Sequence, residues 1–294
     1  MTPKSRLQQK LESGGFAITA EVCPPKGCDC GEFLANSRAL QGCVDAINVT
    51  DNQGANMRIS PVAAAALLVR EGIEPVLQLT CRDRNRMALQ SELLGAVALG
   101  VRNVLALTGD HISFGDHKRA KPVFDLDSVQ LLQTIAKLNS GQDLAGNRLH
   151  GAPSLYAGAA AAPAAEPFDL TLFKLEKKAA AGAHFFQTQA VFDLEQLRRF
   201  NEAVRPFNVK VIAGVLLLKS AGQARFINRN IPGLTVPDNI IAELEEARDP
   251  FAQGVAIARR MTAGARQLCD GVHVMAMGRE EQIPMILTEV SGKD

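Results

Sequence analysis

The chain has 294 residues, long enough for one α/β barrel of about 250 residues with extensions. Its 32 basic and 31 acidic residues leave a formal charge of +1, which gives no electrostatic reason to expect nucleic acid or an anionic membrane as partner; Trp is absent and Tyr156 is the one tyrosine, so base-stacking platforms are scarce. No apolar run reaches the ~20 residues of a membrane span, "MTPKSRLQQKLESGG" lacks a signal-peptide core, and six cysteines are too sparse for a disulfide scaffold, so a cytoplasmic protein is expected.

After a lead-in over 1–15, the first apolar run, "FAITAEV" (16–22), ends in the carboxylate Glu21 and is stopped by Pro24 and Pro25. Similar runs follow: "VDAINVTD" (44–51), "PVLQLTC" (75–81), "NVLALTG" (103–109), "SLYAGAA" (154–160), "HFFQTQ" (184–189), "KVIAGVLLL" (210–218) and "GVHVMAMG" (271–278). Helical periodicity fills the intervals, over 60–71, 87–99, 128–138, 170–181, 194–204 and 251–267, and a tail over 279–294 closes the chain. Eight strand–helix units predict a parallel sheet closed into a (β/α)8 barrel, in one domain spanning 1–294. An open doubly wound sheet is the alternative, but no G-x-G-x-x-G follows the first strand.

Chemistry in such a barrel sits at the C-terminal strand ends. There the sequence places Glu21; Thr50 and Asp51; Gln78; the "TGDH" block of Thr108, Gly109, Asp110 and His111; Gln187 and Gln189; and Lys219. A buried acid is costly unless it is paired or has a task, so Glu21 is either a functional carboxylate or half of an ion pair. The fourth βα connection (108–128) exceeds the usual ~2–6 residues, as functional loops often do. Its two Asp-His pairs lack a familiar ligand spacing, and Cys23, Cys28 and Cys30 match neither zinc nor iron–sulfur patterns; no metal site is expected.

Taken in order, "AEVCPPKG", "DAINVTDNQGA", "QLTCRDRNRMALQSELLGAVALGVRNVLALTGDH", "GAAAAPAAEP", "KKAAAGAHFFQTQAVFD" and "GVLLLKSAGQARFINRNIPGLTVPD" resemble the methylenetetrahydrofolate reductase family, most closely the short reductases of acetogenic and related anaerobic bacteria. The resemblance implies a (β/α)8 barrel with FAD, in preference to FMN, at its C-terminal face, and reduction of 5,10-methylenetetrahydrofolate to 5-methyltetrahydrofolate by hydride transfer to the iminium form of the substrate. It implies that Glu21 is the proton source, that Asp110 stabilises the cation, and that Gln189, with Gln187 nearby, binds the folate. Thr50, Asp51, Gln78, Thr108, Gly109, Asp110, His111 and Lys178 correspond to the flavin site. A carboxylic acid donates at neutral pH where burial penalises its charged form, the condition at a dry barrel mouth.

The sequence departs from the family pattern at several points. "EFFPP" is "EVCPP", a histidine is replaced by Gln78, the basic residue of "RGD" by Thr108, and "SNF" by "KSA" (219–221). The last change removes an aromatic that would stack on nicotinamide, which argues against direct use of NAD(P)H. A metal- or iron–sulfur-containing partner subunit is the implied electron donor, and homo-oligomerisation is left open. Two alternatives are a pterin-binding methyltransferase acting on methyltetrahydrofolate, which needs no flavin, and a catalytically degenerate barrel subunit of a reductase complex.

Overall fold

The computed structural model describes residues 4–231 and 233–290. After α1 (Arg6–Glu12), strands and helices alternate: β1 (Ala17–Val22), α2 (Gly31–Ala39), β2 (Ala46–Val49), α3 (Pro61–Arg70), β3 (Pro75–Thr80), α4 (Arg86–Ala98), β4 (Asn103–Leu107), α5 (Ser128–Asn139), β5 (Tyr156–Ala161), α6 (Phe168–Ala180), β6 (Phe185–Ala190), α7 (Leu194–Val204) and β7 (Lys210–Leu216). Three helices, α8 (Ala221–Asn230), α9 (Asp238–Glu246) and α10 (Pro250–Leu268), precede β8 (Gly271–Met275), and α11 (Ile283–Ile286) lies in the tail. The eight strands pair in chain order and β8 closes on β1, all in parallel: a (β/α)8 barrel.

The runs are almost continuously apolar because each strand is covered on both faces, by helices outside and by the packed lumen inside. Alternation then sorts the side chains. Ala17, Ala46, Val76, Leu105, Tyr156, Phe185 and Ile212 point inward and cluster with Leu7 and Leu11 of α1. The lead-in is therefore a helical plug for the N-terminal mouth, tied down where Glu74 accepts the backbone N–H groups of Arg6 and Leu7. Gly158 makes room for the inward Phe185 ring of that cluster, since a Cβ there would come within 2.3 Å of it.

Two residues further along, the inward layer turns polar, with Thr19, Asn48, Gln78, Gln187 and His273, all buried. The Asn48 amide donates across the barrel to Gln187 Oε1 at 2.8 Å, joining β2 to β6. Apolar core thus lies below and outside this layer, and the polar mouth lies above it.

The tail packs as well. Ile283, Ile286, Leu287 and Val290 are buried in the main core, beside α10. The helical expectations agree with the structure to within about two residues at each end, the usual uncertainty of a helix boundary. The lead-in helix α1 and the helices α2, α8, α9 and α11 had no counterpart among them.

Candidate functional site

Pro24 and Pro25 end β1 just past Glu21, whose side chain faces the mouth with 11% exposure. Two amides hold it. Gln53 Nε2 donates to Oε1 at 2.9 Å and Gln78 Nε2 to Oε2 at 3.2 Å. Gln53 reaches it from a short 3-10 turn after β2 in which Asn52, Gly54 and Ala55 all have positive φ (46°, 61° and 59°). Backbone of that kind persists only where surrounding contacts over-determine it. Here the contacts come from neighbouring loops: Arg58 N–H donates to Asn52 Oδ1, Ile59 N–H to the Pro25 carbonyl, and Gly115 packs so closely that a Cβ would meet the Ala55 carbonyl at 1.8 Å.

Asp116 fastens the same rim from the loop after β4. Its carboxylate pairs with Lys26, accepts the Met57 backbone N–H at 3.2 Å and lies 2.7 Å from His117 Nδ1, and these partners hold its pKa well below the usual carboxylate range. The loops after β1, β2 and β4 therefore form one collar.

The end of β2 carries a carboxylate committed to structure. Thr50 is buried, its hydroxyl directed at Cys23 Sγ (3.6 Å). Asp51 Oδ2 accepts from the Thr80 backbone N–H and hydroxyl, both at 2.8 Å, and Arg84 grips both carboxylate oxygens at 2.7 and 3.2 Å. Burial pulls the Arg84 pKa down, but Asp51 outweighs it and the net shift is upward. Arg82 is likewise buried, forked onto Asp83 at 2.7 and 2.9 Å while donating to the carbonyls of Asn52 (3.3 Å) and Asp110 (3.5 Å). Asp83 is pushed up by burial and pulled down further by Arg82, so it ends below its ordinary value.

At the end of β4, Gly109 adopts φ +94°, and a Cβ would sit 3.0–3.1 Å from Thr80 and Arg82 Cβ, so the backbone approaches the adjacent loop as only glycine allows. Thr108 accepts the Ser128 backbone N–H at 3.1 Å. Asp110 is exposed at the rim. His111 caps the following turn, its Nδ1 accepting the Ser113 backbone N–H at 3.2 Å, and stacks on Phe124 with centroids 6.4 Å apart.

Opposite, Gln187 is buried and joined to Asn48, whereas Gln189 is exposed at the strand end, where a register shift interrupts the β6–β7 ladder. Gly214 accommodates that shift, since a Cβ would meet the Thr188 carbonyl at 2.5 Å. Lys178 is half-buried against the barrel, donating to the Ala160 carbonyl at 2.7 Å, and burial lowers its pKa. Its neighbour Lys177 lies outside, over the Phe173 ring.

The structure thus gathers Glu21, Thr50, Gln78, Gly109, Asp110, Gln187 and Gln189 at one end of the barrel. Asp51 belongs to the fastening beneath the mouth, and Lys219 reaches across to the Met277 carbonyl at 2.6 Å. Three residues with a part in the site had not been singled out: Gln53, Arg84 and His273. His273 could have been found, because alternation from Ala17 and Gly271 sets it beside Thr19 on the inward face two residues below the mouth. Among the described residues no three His, Cys, Asp or Glu side chains gather as a metal-binding group, and no helix is long and apolar enough to cross a membrane.

Among proteins of known name, the chain is 26% identical over 233 residues to a probable methylenetetrahydrofolate reductase (NADPH) of Caenorhabditis elegans, covering 76% of this chain but 33% of that protein. It thus spans about a third of that relative's length. A 5,10-methylenetetrahydrofolate reductase of Salmonella typhimurium is 26% identical over 230 residues, 76% of this chain and 72% of that one. The fold is shared with a solved structure from Clostridium thermocellum, described as an uncharacterized protein that binds two copies of 5-methyl-5,6,7,8-tetrahydrofolic acid (TM-score 0.62, 14% identity, 97% of this chain and 99% of that chain). Residues 6–291, which carry every strand of the barrel and the whole collar around Glu21, match the model of the methylenetetrahydrofolate reductase family, and the chain belongs to that family.

Proposed function

We propose that the protein reduces 5,10-methylenetetrahydrofolate to 5-methyltetrahydrofolate with a bound flavin, FAD in preference to FMN. The observation that carries the reading is the position of Glu21: an acid at a strand end, 11% exposed and held by two neutral amides, in a barrel of this family. The similar fold of a protein described as binding 5-methyltetrahydrofolic acid supports a folate substrate.

The donor set fits a flavin. Hydroxyl and amide groups of Thr50 and Gln78 suit the alternating donors and acceptors of a flat heterocycle, and the missing Cβ at Gly109 allows backbone approach. Lys178 and the Thr108–His111 segment complete the flavin side in this reading. When bound, the flavin supplies a hydride.

The protein's own groups do the rest. Glu21 delivers a proton to a nitrogen of the folate's five-membered ring, which opens to an iminium cation able to accept the hydride. Asp110 supplies negative charge for that cation, and Gln189 presents a donor and an acceptor to the pterin edge. Ser220 and Ala221 begin α8 where an aromatic would be needed to stack nicotinamide, so the reading assigns electron supply to a partner subunit carrying metal or iron–sulfur centres.

The test is the visible spectrum of the FAD-loaded protein before and after anaerobic addition of 5-methyltetrahydrofolate. Bleaching of the flavin bands is expected. A protein that takes up no FAD yet binds methyltetrahydrofolate would overturn this reading in favour of a flavin-free methyltransferase.

A further inference from the structure

We infer that Glu21 and His273 share one proton, in an orientation fixed by Thr19, so that His273 is the positioning residue that keeps Glu21 charged with the proton it delivers. The role given to that proton rests on the function proposed above; the pairing itself rests on the geometry.

Register sets His273 between Thr19 on β1 and Gly214 on β7, with its ring inside the barrel and fully buried. We assign the Thr19 hydroxyl hydrogen to the Val272 carbonyl, 3.4 Å away, so that its oxygen accepts from His273 Nδ1 at 3.0 Å. In this assignment Nδ1 carries a hydrogen in both charge states, and Nε2 is the nitrogen that gains and loses a proton. Nε2 has no hydrogen-bond partner among the described residues, and the atom it faces is Glu21 Oε2 at 3.8 Å. The pair stands about 0.6 Å beyond the usual N–H···O distance, and Oε2 also accepts from Gln78 at 3.2 Å.

Among the described residues Glu21 is the carboxylate within ion-pair distance of that nitrogen, and Asn48 Oδ1 on β2 is a second buried atom of this layer without a hydrogen-bond partner. From β1 the imidazole meets Glu21 and Thr19; β7 presents Gly214, which has no side chain; and the inward groups of β2, β3 and β6 at this level are the neutral amides of Asn48, Gln78 and Gln187. Glu21 is the titratable group that faces it. Gln53 and Gln78, which also touch Glu21, offer amide hydrogens that do not ionise. A buried imidazolium or a bare buried nitrogen is costly alone, and a proton held jointly with Glu21 relieves either state.

The transfer balances. The Nε2–H bond breaks as an O–H bond forms on Glu21, and imidazolium plus carboxylate become imidazole plus carboxylic acid. When Glu21 passes that proton to the folate ring nitrogen, its carboxylate is restored, and the pair regains one proton through Glu21 after the product leaves.

Two measurements test this. The first needs neither flavin nor folate: ¹⁵N-histidine NMR of the full chain, whose five histidines are few enough for His273→Gln to identify the resonance. The expected spectrum shows the Nδ1–H tautomer when His273 is neutral, and Glu21→Gln displaces the His273 Nε2 resonance at fixed pH. An Nε2–H tautomer, or an Nε2 resonance that Glu21→Gln leaves in place, overturns the inference. The second is the anaerobic reoxidation of reduced, FAD-loaded protein by 5,10-methylenetetrahydrofolate across pH, the direction in which Glu21 donates. His273→Gln should slow it by about 10²-fold and remove one limb of the pH profile without changing the concentration of folate that half-saturates it. Thr19→Val, which keeps the side-chain shape, should give the same change to a smaller degree, and it replaces His273→Gln if that variant does not fold. Reoxidation at the wild-type rate and pH profile in these variants makes His273 a packing residue and overturns the inference. A wild-type protein that methyltetrahydrofolate does not bleach fails the function reading alone, and the NMR result then decides the pair.

Discussion

Gln53 Nε2 lies 2.9 Å from Glu21 Oε1, and it is held there by a turn in which three residues have left-handed backbone. The turn places an amide on the outer oxygen of a carboxylate whose inner oxygen faces His273. Conformational cost is met locally so that one side chain meets another.

Gln53→Ala tests that relationship. Gln53 is exposed and packs little, so stability should change by no more than ~0.5 kcal/mol. A hydrogen bond to a charged group is worth ~1.5–3 kcal/mol, so kcat/KM for methylenetetrahydrofolate should fall about 10- to 100-fold. Unchanged kinetics with unchanged Tm would show that Gln78 alone positions Glu21.

The collar depends on Gly115 in the same way. Gly115→Ala puts a Cβ 1.8 Å from the Ala55 carbonyl, closer than any real contact, so the loop after β4 must lift away from the turn that carries Gln53. Overpacking of this kind costs ~1–3 kcal/mol, which a thermal melt should show as a drop of several degrees. Turnover should fall alongside, and a variant with lower Tm but full activity would separate the collar from the site.

Much of this was legible in sequence, for identifiable reasons. Strands covered on both faces must be apolar throughout, so "KVIAGVLLL" and "NVLALTG" stand out, and the polar residues that end them mark the mouth. The mouth positions of Glu21, Gln78, Asp110 and Gln189 were readable that way. His273 was not, because one imidazole inside "GVHVM" reads as an interruption until the register sets it beside Thr19. Nor was the use of Asp51, whose partner Arg84 sits in a following loop; strand-end position alone does not separate a carboxylate aimed at a ligand from one that fastens the loop beneath it. The plug formed by Leu7 and Leu11 was hidden for a different reason: a short helix with two buried residues has too little periodicity to declare itself.

The fastening role of Asp51 predicts a particular asymmetry. Arg84→Met strips the guanidinium from a fully buried carboxylate and should destabilise the protein by ~3–5 kcal/mol, the usual cost of an uncompensated buried charge. The double variant Asp51→Asn with Arg84→Met removes the charge as well and should recover a large part of that loss. Urea unfolding of the two variants decides it; equal destabilisation would mean that the Thr80 hydrogen bonds, which Asn cannot fully replace, carry most of the energy.

The cysteines should differ sharply in reactivity. Burial pushes the thiols of Cys81 and Cys269 up to about 12, so they are almost entirely protonated at neutral pH, whereas Cys28 is exposed. Timed alkylation read by mass spectrometry should label Cys28 early and leave Cys81 and Cys269 until the protein unfolds. Protection of Cys23, Cys28 and Cys30 together by added zinc would instead point to a clip formed by loop rearrangement.

Lys178 allows a structural role to be separated from a binding one. Its folded pKa lies below the ordinary 10.5 because burial penalises the ammonium, so the folded state holds fewer protons than the unfolded chain between the two values. The penalty is fully present below the folded pKa and is relieved as pH rises through that window toward 10.5. Wild-type stability should accordingly improve relative to Lys178→Met as pH climbs through it, with a slope of at most ~1.4 kcal/mol per pH unit. The comparison isolates the charge, because the loss of the hydrogen bond to the Ala160 carbonyl in the variant is common to all pH values. If Lys178 also contacts flavin, the same substitution should weaken FAD uptake measured at pH 7. A pH-dependent stability difference with unchanged FAD affinity would leave Lys178 as a brace between α6 and β5 and remove it from the cofactor site.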